Sequence, residues 1–160
     1  MQLTKLFFAL AILMAAIVAI SNFLVQFPVY YLGMENILTY AAFTYPITFL
    51  ITDLANRKYG KFIARKIVYL GFFTGIILTI FFSTNFDDLI SIRIAIGSGT
   101  AFLVAQLLDV SIFDLLRKKI WFVAPIVSSS LGSLVDTFLF FSISFYNTEI
   151  PWISLSLIHI

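Results

Sequence analysis

The segment that decides the fold runs from Leu6 to Val25 and reads LFFALAILMAAIVAISNFLV. It carries no charged residue, and it is apolar without interruption up to Ser21. A helix needs about 20 apolar residues to cross the hydrocarbon core of a bilayer, so this segment predicts a transmembrane helix. A strand of a membrane β-barrel would instead show about 10 residues of alternating polarity.

The composition extends this conclusion to the whole chain of 160 residues. Hydrophobic residues make up 61% and charged residues 11%, and the mean hydropathy is +1.05. Soluble domains contain about 45–50% apolar residues, so a soluble globule of this length could not bury so much apolar surface. Seven glycines and no cysteine exclude collagen-like and disulfide-framework proteins. The sequence therefore predicts an all-α integral membrane protein.

Charged residues divide the chain into apolar stretches of membrane-spanning length. The predicted spans are about Leu6–Val25, Asn36–Thr52, Ile67–Phe82, Ile94–Leu116 and Trp121–Phe145. A sixth apolar stretch begins near Ile150 and stops at Ile160, which is too short to cross. We therefore expect a bundle of five complete transmembrane helices plus a partial sixth, in a single membrane domain over residues 1–160 that is truncated from a longer protein. No loop exceeds about a dozen residues, so any function lies among the helices.

Basic residues are distributed unevenly between the predicted loops. Nine of the ten would lie on one side of the membrane: Lys5, Arg57, Lys58, Lys61, Arg65, Lys66, Arg117, Lys118 and Lys119. The tenth, Arg93, ends the opposite loop that contains Asp87 and Asp88. Because cytoplasmic loops are enriched in Lys and Arg, the amino terminus is predicted to be cytoplasmic. In the alternative, the first span is a cleaved signal peptide, which the run after Lys5 fits only loosely.

Asp109 and Asp136 are the two clearest acidic residues inside the predicted spans, where an ionisable group costs about 2.5–3.5 kcal/mol to insert. Asp109 shares a helix face with Gln106, three residues before it. Asp136 follows a run of small residues that would let another helix approach closely. We interpret both acids as facing a substrate cavity, since no basic residue lies at comparable depth. The alternative is that they are protonated or hydrogen-bonded contacts between helices.

Two amides near the end of the first span form a second candidate group. Asn22 and Gln26 are four residues apart and share one helical face. An amide has both a donor and an acceptor, which suits the edge of a heterocycle, although both amides could instead face headgroups or water. In the second span, Pro46 interrupts the backbone ladder before Asp53. Asp53 is a candidate for the substrate site or a partner of Arg57 on the next turn.

No motif for catalysis or metal binding is visible in the sequence. It contains no Gly-rich phosphate loop, no His or Cys at metal-ligand spacing and no Ser/His/Asp set, and its one histidine is His159. We therefore expect no enzyme activity, no metal and no cofactor. The basic residues indicate topology rather than nucleic-acid binding.

Five segments, in order along the chain, carry a family resemblance. They are SNFLVQFP at 21–28, FTYPITFLITDLANRKY at 43–59, AQLLDVSIFDLLR at 105–117, WFVAP at 121–125 and VDT at 135–137. The sequence resembles the queuosine-precursor transporter family, the VUT-type integral membrane proteins of bacteria and archaea. The resemblance implies six spans and import of a 7-deazaguanine queuosine precursor across the bacterial inner membrane for tRNA modification. The SNFLVQ and WFVAP segments are similar to the branch linked to 7-cyano-7-deazaguanine.

The polar residues inside the spans suit such a ligand. A carboxylate can accept from the adjacent N1–H and 2-amino donors of a deazaguanine, and an amide can serve its carbonyl. The candidate substrate-binding residues are Asn22, Gln26, Asp53, Gln106, Asp109 and Asp136.

Two modes of transport remain open. The chain is either a self-contained transporter, or the substrate-binding subunit of an ATP-driven energy-coupling-factor transporter for a vitamin or nucleobase. Ala11, Ala15 and Ala19 form a ridge of small residues suited to docking a partner helix, whether from an ATP-driven module or in a homo-oligomer. The buried acids favour the self-contained transporter, because such groups line substrate and proton paths.

Overall fold

The computed structural model describes residues 2–24, 27–31, 39–82 and 89–148. Within them the chain forms six helices: α1 (Gln2–Leu24), α2 (Ala41–Thr44), α3 (Pro46–Tyr59), α4 (Lys61–Phe82), α5 (Leu89–Leu116) and α6 (Val123–Phe145). Gln26, the Asp87–Asp88 loop and the apolar stretch from Ile150 lie outside the described residues.

In the described part of the chain, four helices are long and apolar enough to cross a membrane. They are Lys5–Leu24, Lys61–Phe81, Ile92–Leu116 and Val123–Phe145. These helices correspond to the first, third, fourth and fifth predicted spans. The all-helical fold class is therefore confirmed. The number of five complete spans is not, because two shorter helices stand in place of the second predicted span.

The second predicted span, Asn36–Thr52, differs from the structure in its continuity and its end. α2 and α3 meet at Tyr45, which has helical dihedral angles (φ −59°, ψ −40°) and donates its N–H to the Ala41 carbonyl at 2.8 Å. Pro46 has no N–H, so the hydrogen-bond ladder is interrupted while the chain keeps a helical course. α3 continues past Thr52 to Tyr59. The charged Asp53, which ended the apolar run in the sequence, is a buried residue of this helix.

The basic segment between α3 and α4 is helical rather than a loop. Only Gly60 separates the two helices, and its φ of 84° with ψ of 169° is a backbone conformation that other residues rarely adopt. A Cβ at Gly60 would lie 3.5 Å from the Arg117 guanidinium. Arg57 donates to the Trp121 carbonyl. The junction between α3 and α4 therefore lies beside the end of α5.

α1 packs against a groove of small residues on α4. Gly71 and Gly75 lie one turn apart, and a Cβ at these positions would collide with Met14 and Val18, respectively. This small-xxx-small groove lets the two backbones approach closely, with α1 and α4 running parallel. Ala11, from the ridge predicted to dock a partner, is 1% exposed. The ridge is thus used at least in part within the bundle.

The described basic residues are divided between the two ends of the bundle. Because α1 and α4 are parallel, Lys5 is level with the first turns of α4, near the junction at Gly60. Arg93 lies at the opposite end and donates to the Ile143 and Tyr146 carbonyls at 3.3 and 2.5 Å. Arg93 therefore belongs to α5 and satisfies the last carbonyls of α6, instead of lying in a loop as predicted.

α5 and α6 form an antiparallel pair, and α3 lies against both. Gly97 of α5 faces Ser144 near the end of α6. A Cβ at Gly132 of α6 would lie 2.7 Å from the Phe49 ring of α3 and 3.3 Å from Asp109 Cβ of α5. The small residues of α6 thus bring it close to two helices, as predicted.

Candidate functional site

A stripe of polar residues on α2 and α3 faces the interior of the bundle. Its members, at four-residue spacing on one helix face, are Thr44, Thr48, Thr52 and Asn56. The three on α3 are 0% exposed. Thr44 hydrogen-bonds to Ser21 of α1 at 2.8 Å, and Asn56 donates to the Val110 carbonyl of α5 at 2.8 Å. The stripe was not predicted, although its spacing is present in the sequence.

Gln106 of α5 lies against the middle of this stripe. It is fully buried, its amide nitrogen donates to the Thr48 hydroxyl at 2.9 Å, and its amide oxygen accepts from the Thr52 hydroxyl at 2.8 Å. The donor and the acceptor of this predicted site residue are therefore both used in contacts between α3 and α5. Thr48 in turn donates to the Tyr45 carbonyl at 2.7 Å, where α2 meets α3.

Asp53 and Asp109 meet about one turn further toward the basic end of the bundle. Their exposed fractions are 4% and 0%. The Ser129 hydroxyl of α6 donates to Asp53 Oδ2 at 3.2 Å and to Asp109 Oδ1 at 3.4 Å, and the Ser128 hydroxyl donates to Asp53 Oδ1 at 3.5 Å. We call Asp53, Asp109, Ser128 and Ser129 the acid cluster.

The alternative partner of Asp53, the guanidinium of Arg57, is engaged elsewhere. No salt bridge joins these two side chains in the described structure. The Arg57 guanidinium lies 5.4 Å from the centre of the Phe113 ring and donates to the Trp121 carbonyl. Arg57 therefore acts on Asp53 only through a longer-range electrostatic interaction.

A cavity of about 210 Å³ lies between α1, α4 and α5, toward the end opposite the basic junction. Its polar groups are Asn22, Tyr45, Thr79 and Ser98, and two of its aromatic walls are Phe72 and Phe102. The Asn22 amide donates to the Thr79 hydroxyl. The Tyr45 and Phe102 rings meet edge to face with their centres 6.0 Å apart. Since an engineered cavity of about 150 Å³ can hold benzene, this one has room for a small planar molecule.

Asp136 of α6 does not line the cavity. It lies within electrostatic range of Tyr45, which is part of the cavity wall. Its Oδ1 atom is buried and has no hydrogen-bond partner among the described residues. Seven positions separate it from Ser129, or about 10 Å along a helix, so it is not part of the acid cluster. A buried oxygen without a partner is unfavourable, which leaves this atom able to accept from a ligand.

The structure therefore separates the predicted site residues into two groups. Asp53, Gln106 and Asp109 lie in the polar interior between α3, α5 and α6. Asn22 lines the cavity, and Asp136 lies within electrostatic range of its wall residue Tyr45. Gln26 lies outside the described residues.

Three polar residues of the cavity, Tyr45, Thr79 and Ser98, were not predicted. Tyr45 had a signal in the sequence, because it precedes Pro46, where the helix was expected to be interrupted. Thr79 had none, since its role depends on a hydrogen bond to Asn22 on a helix distant in sequence.

The outer surface of the bundle is largely apolar. Large apolar side chains are exposed on each long helix, including Ile12 at 67%, Phe73 at 61%, Ile96 at 57% and Phe138 at 55%. An apolar exterior around buried acids and amides is unsuited to water and suited to lipid. The fold and the site define a multi-pass membrane protein of the transporter class.

Comparison with known proteins agrees with this class. Residues 39–160 match the family described as "Putative vitamin uptake transporter", and the chain belongs to that family. It is 39% identical over 162 residues to the "Probable queuosine precursor transporter" of Haemophilus influenzae, covering 86% of this chain and 69% of that protein. It is 33% identical over 161 residues to the "Queuosine precursor transporter" of Escherichia coli, covering 92% and 72%, respectively. No solved structure matches the chain significantly. The resemblance found in the sequence is confirmed.

Proposed function

We propose that this chain imports 7-cyano-7-deazaguanine, a 7-deazaguanine precursor of queuosine, across the bacterial inner membrane for tRNA modification. The names of its relatives support a queuosine precursor as the substrate class. The observation that carries the proposal is the cavity of about 210 Å³ with the Asn22 amide on its wall. Within electrostatic range of its wall residue Tyr45, Asp136 has a buried oxygen without a partner among the described residues.

The groups around the cavity match the shape and the polar edge of a deazaguanine. The fused ring is flat, and Phe72 and Phe102 offer aromatic surfaces to its plane. The ring edge presents two adjacent donors and one acceptor. Asp136 can accept from the donors, and the Asn22 amide can serve the acceptor. Asn22 and Asp136 are therefore the proposed substrate ligands, with Tyr45 between Asp136 and the cavity.

The predicted substrate contacts of Asp53, Gln106 and Asp109 stay predictions. The polar atoms of Gln106 bind Thr48 and Thr52, and the two acids bind hydroxyls of α6. Asp53 lies eight positions after Tyr45 on the same helical course, which corresponds to about 12 Å along the axis. In the described conformation none of these three side chains lines the cavity.

We further propose five complete crossings with a cytoplasmic amino terminus. In this arrangement α2 and α3 together form the second crossing, and a sixth begins near Ile150. The described basic residues other than Arg93 belong to segments at one end of the bundle, around Lys5, around Gly60 and after α5. Such an accumulation of Lys and Arg is typical of the cytoplasmic side.

The transporter is proposed to work without a separate ATP-driven module. The alternative, a binding subunit, needs a free docking surface such as the ridge of Ala11, Ala15 and Ala19. Ala11 is buried within the bundle, and the other two are half-buried. The buried acids between α3, α5 and α6 fit a carrier that alternates between two conformations.

Uptake of radiolabelled 7-cyano-7-deazaguanine tests this function. The protein is expressed in cells that have neither their own queuosine-precursor transport nor any energy-coupling module. We expect uptake of the label that excess unlabelled compound suppresses and that excess adenine leaves unchanged. No uptake by protein confirmed in the membrane would contradict the proposal. Uptake that appears only when an ATP-driven module is added would favour the binding subunit.

A further inference from the structure

The acid cluster brings two buried carboxyl groups to one shared hydroxyl. Asp53 and Asp109 are 4% and 0% exposed, and the Ser129 hydroxyl lies 3.2 Å from an oxygen of the first and 3.4 Å from an oxygen of the second. The fully buried Asp109 leaves its Oδ2 atom without a hydrogen-bond partner among the described residues.

This geometry favours one bound proton. An ionised carboxyl is only an acceptor, so two ionised carboxyls beside one hydroxyl have more acceptor oxygens than the hydroxyl can satisfy. Two buried negative charges that share one hydroxyl are also strongly unfavourable, as in other carboxyl pairs that share one proton. The Ser129 hydroxyl has a single hydrogen and can satisfy one carboxylate oxygen at a time.

No cation takes the place of this proton in the described structure. The charged residues on the surrounding helices are Arg57 and Lys58 on α3, Lys61, Arg65 and Lys66 on α4, Arg93 and Asp114 on α5, Arg117 directly after α5, and Asp136 on α6. None of them forms a salt bridge with the pair. Asp114 pairs with Arg117 at 3.3 Å, and Arg65 donates to the Ser111 hydroxyl at 3.3 Å. Arg57 acts on Asp53 only at longer range.

The pair lies where a movement of helices would change its surroundings. Asp53 belongs to α3, Asp109 to α5, and both bridging serines to α6. A shift of α6 relative to α3 and α5 would remove the hydroxyls and admit water. The pair could then exchange its proton with one side of the membrane, whereas in the described conformation it is enclosed.

We propose that the pair of Asp53 and Asp109, bridged by Ser129, binds the proton whose entry drives substrate uptake. This inference rests on the proposed function and adds its energy source. A proton from the outer side forms an O–H bond with one carboxylate of the pair, and the same bond breaks when the pair opens to the cytoplasm. One proton enters with each substrate molecule, and nothing is oxidised or reduced.

Purified protein in proteoliposomes allows coupling to be separated from transport itself. Accumulation of radiolabelled 7-cyano-7-deazaguanine is measured with the outside one pH unit more acidic than the lumen. Exchange is measured at equal pH, with unlabelled compound inside. We expect about tenfold accumulation, because one pH unit is a tenfold ratio of protons and one proton moves per substrate. A protonophore should abolish accumulation and leave exchange unchanged.

Substitutions at the pair locate the proton. In Asp109→Asn we expect accumulation to disappear while exchange continues. We expect the same result in Asp53→Asn, so the test still stands if one of the two variants fails to insert. Asp109→Glu, which keeps a carboxyl, should restore accumulation in part. The matched control is Asp114→Asn, an acid on the same helix that pairs with Arg117 at the surface and should accumulate normally.

Four results would overturn the proposal. They are accumulation by both neutral variants, loss of exchange in a correctly inserted Asp109→Asn protein, exchange by the unsubstituted protein without any accumulation in response to the pH gradient, and accumulation driven by a sodium gradient instead. The second result would return Asp109 to the substrate site. Absence of exchange in the unsubstituted protein would contradict the proposed function itself, and the proton site with it.

Discussion

The acid cluster and the cavity are both polar sites inside an apolar bundle, yet they differ in how much space and bonding capacity they retain. In the acid cluster, Asp53 and Asp109 are enclosed, and both lie within hydrogen-bond distance of the Ser129 hydroxyl. The cavity has about 210 Å³ of space, and an oxygen of Asp136, which we assign to the cavity, has no partner among the described residues. The first arrangement can hold a proton, whereas the second can also hold a heterocycle. A buried acid therefore does not by itself mark a substrate site.

The largest effect on transport is expected at Asp136, the acid that we assign to the cavity and not to the acid cluster. Asp136→Asn should lower uptake of labelled 7-cyano-7-deazaguanine by about tenfold to a hundredfold, because a hydrogen bond to a charged group contributes about 1.5–3 kcal/mol. Exchange and pH-driven accumulation should fall together, unlike in Asp109→Asn. Normal uptake by the variant would show that Asp136 only joins helices.

A glycine of α6, Gly132, lets this helix pack closely against Phe49 and Asp109. Gly132→Leu should destabilise the protein by about 1–3 kcal/mol, because its Cβ would meet the Phe49 ring at 2.7 Å and Asp109 Cβ at 3.3 Å. Thermal unfolding in detergent measures the loss. The control is Ser133→Leu at the adjacent exposed position, which should unfold close to the unsubstituted protein. Equal melting temperatures for both variants would mean that α6 does not approach α3 and α5 as described.

The amide of the cavity should have a smaller effect on transport. Asn22→Leu removes the bond to Thr79 and the proposed contact with the substrate carbonyl. A neutral hydrogen bond contributes about 0.5–1.5 kcal/mol, so uptake should fall by about tenfold or less. Phe23→Leu, at a neighbouring residue that is 57% exposed, serves as the control. If both variants transport equally, the cavity wall at Asn22 does not contact the substrate.

The smallest effect is expected from the polar stripe that joins α3 to α5. Thr52→Val removes a hydroxyl that donates to the Gln106 amide oxygen at 2.8 Å, and it should cost about 1 kcal/mol of stability. Thr74→Val is the comparison, because that hydroxyl bonds only the Leu70 carbonyl of its own helix. A larger loss of stability in the Thr74 variant would contradict the structural role of the stripe.

The helices could be predicted from the sequence because membrane spanning imposes length and continuous hydrophobicity. The long runs of α1, α4, α5 and α6 satisfy both conditions. The course of α3 could not be predicted, since the charged Asp53 marked the end of an apolar run although it is buried inside the bundle. Likewise, Arg93 was assigned to a loop because a charge ordinarily ends a span, whereas it satisfies carbonyls at the end of α6.

The site was only partly predictable for a similar reason. Residue type identified Asn22, Asp109 and Asp136 as unusual in a membrane, because polar groups there are unfavourable without a role. Which of them share a site depends on how helices pack, and glycines such as Gly75 and Gly132 determine that packing. The groove on α4 and the contact of α6 with two helices decide that Asn22 lines a cavity and that Asp109 meets Asp53.

Protection of a single cysteine in the cavity tests whether the substrate binds there. The chain has no native cysteine, so Ser98→Cys places one reactive group in the cavity wall, and Lys118→Cys places one at an exposed position. Labelling of each variant by a small membrane-permeant maleimide is followed with and without 7-cyano-7-deazaguanine. We expect the compound to slow labelling at position 98 and to leave labelling at position 118 unchanged. Equal labelling at position 98 in a variant that still transports the compound would contradict the placement of the substrate in this cavity.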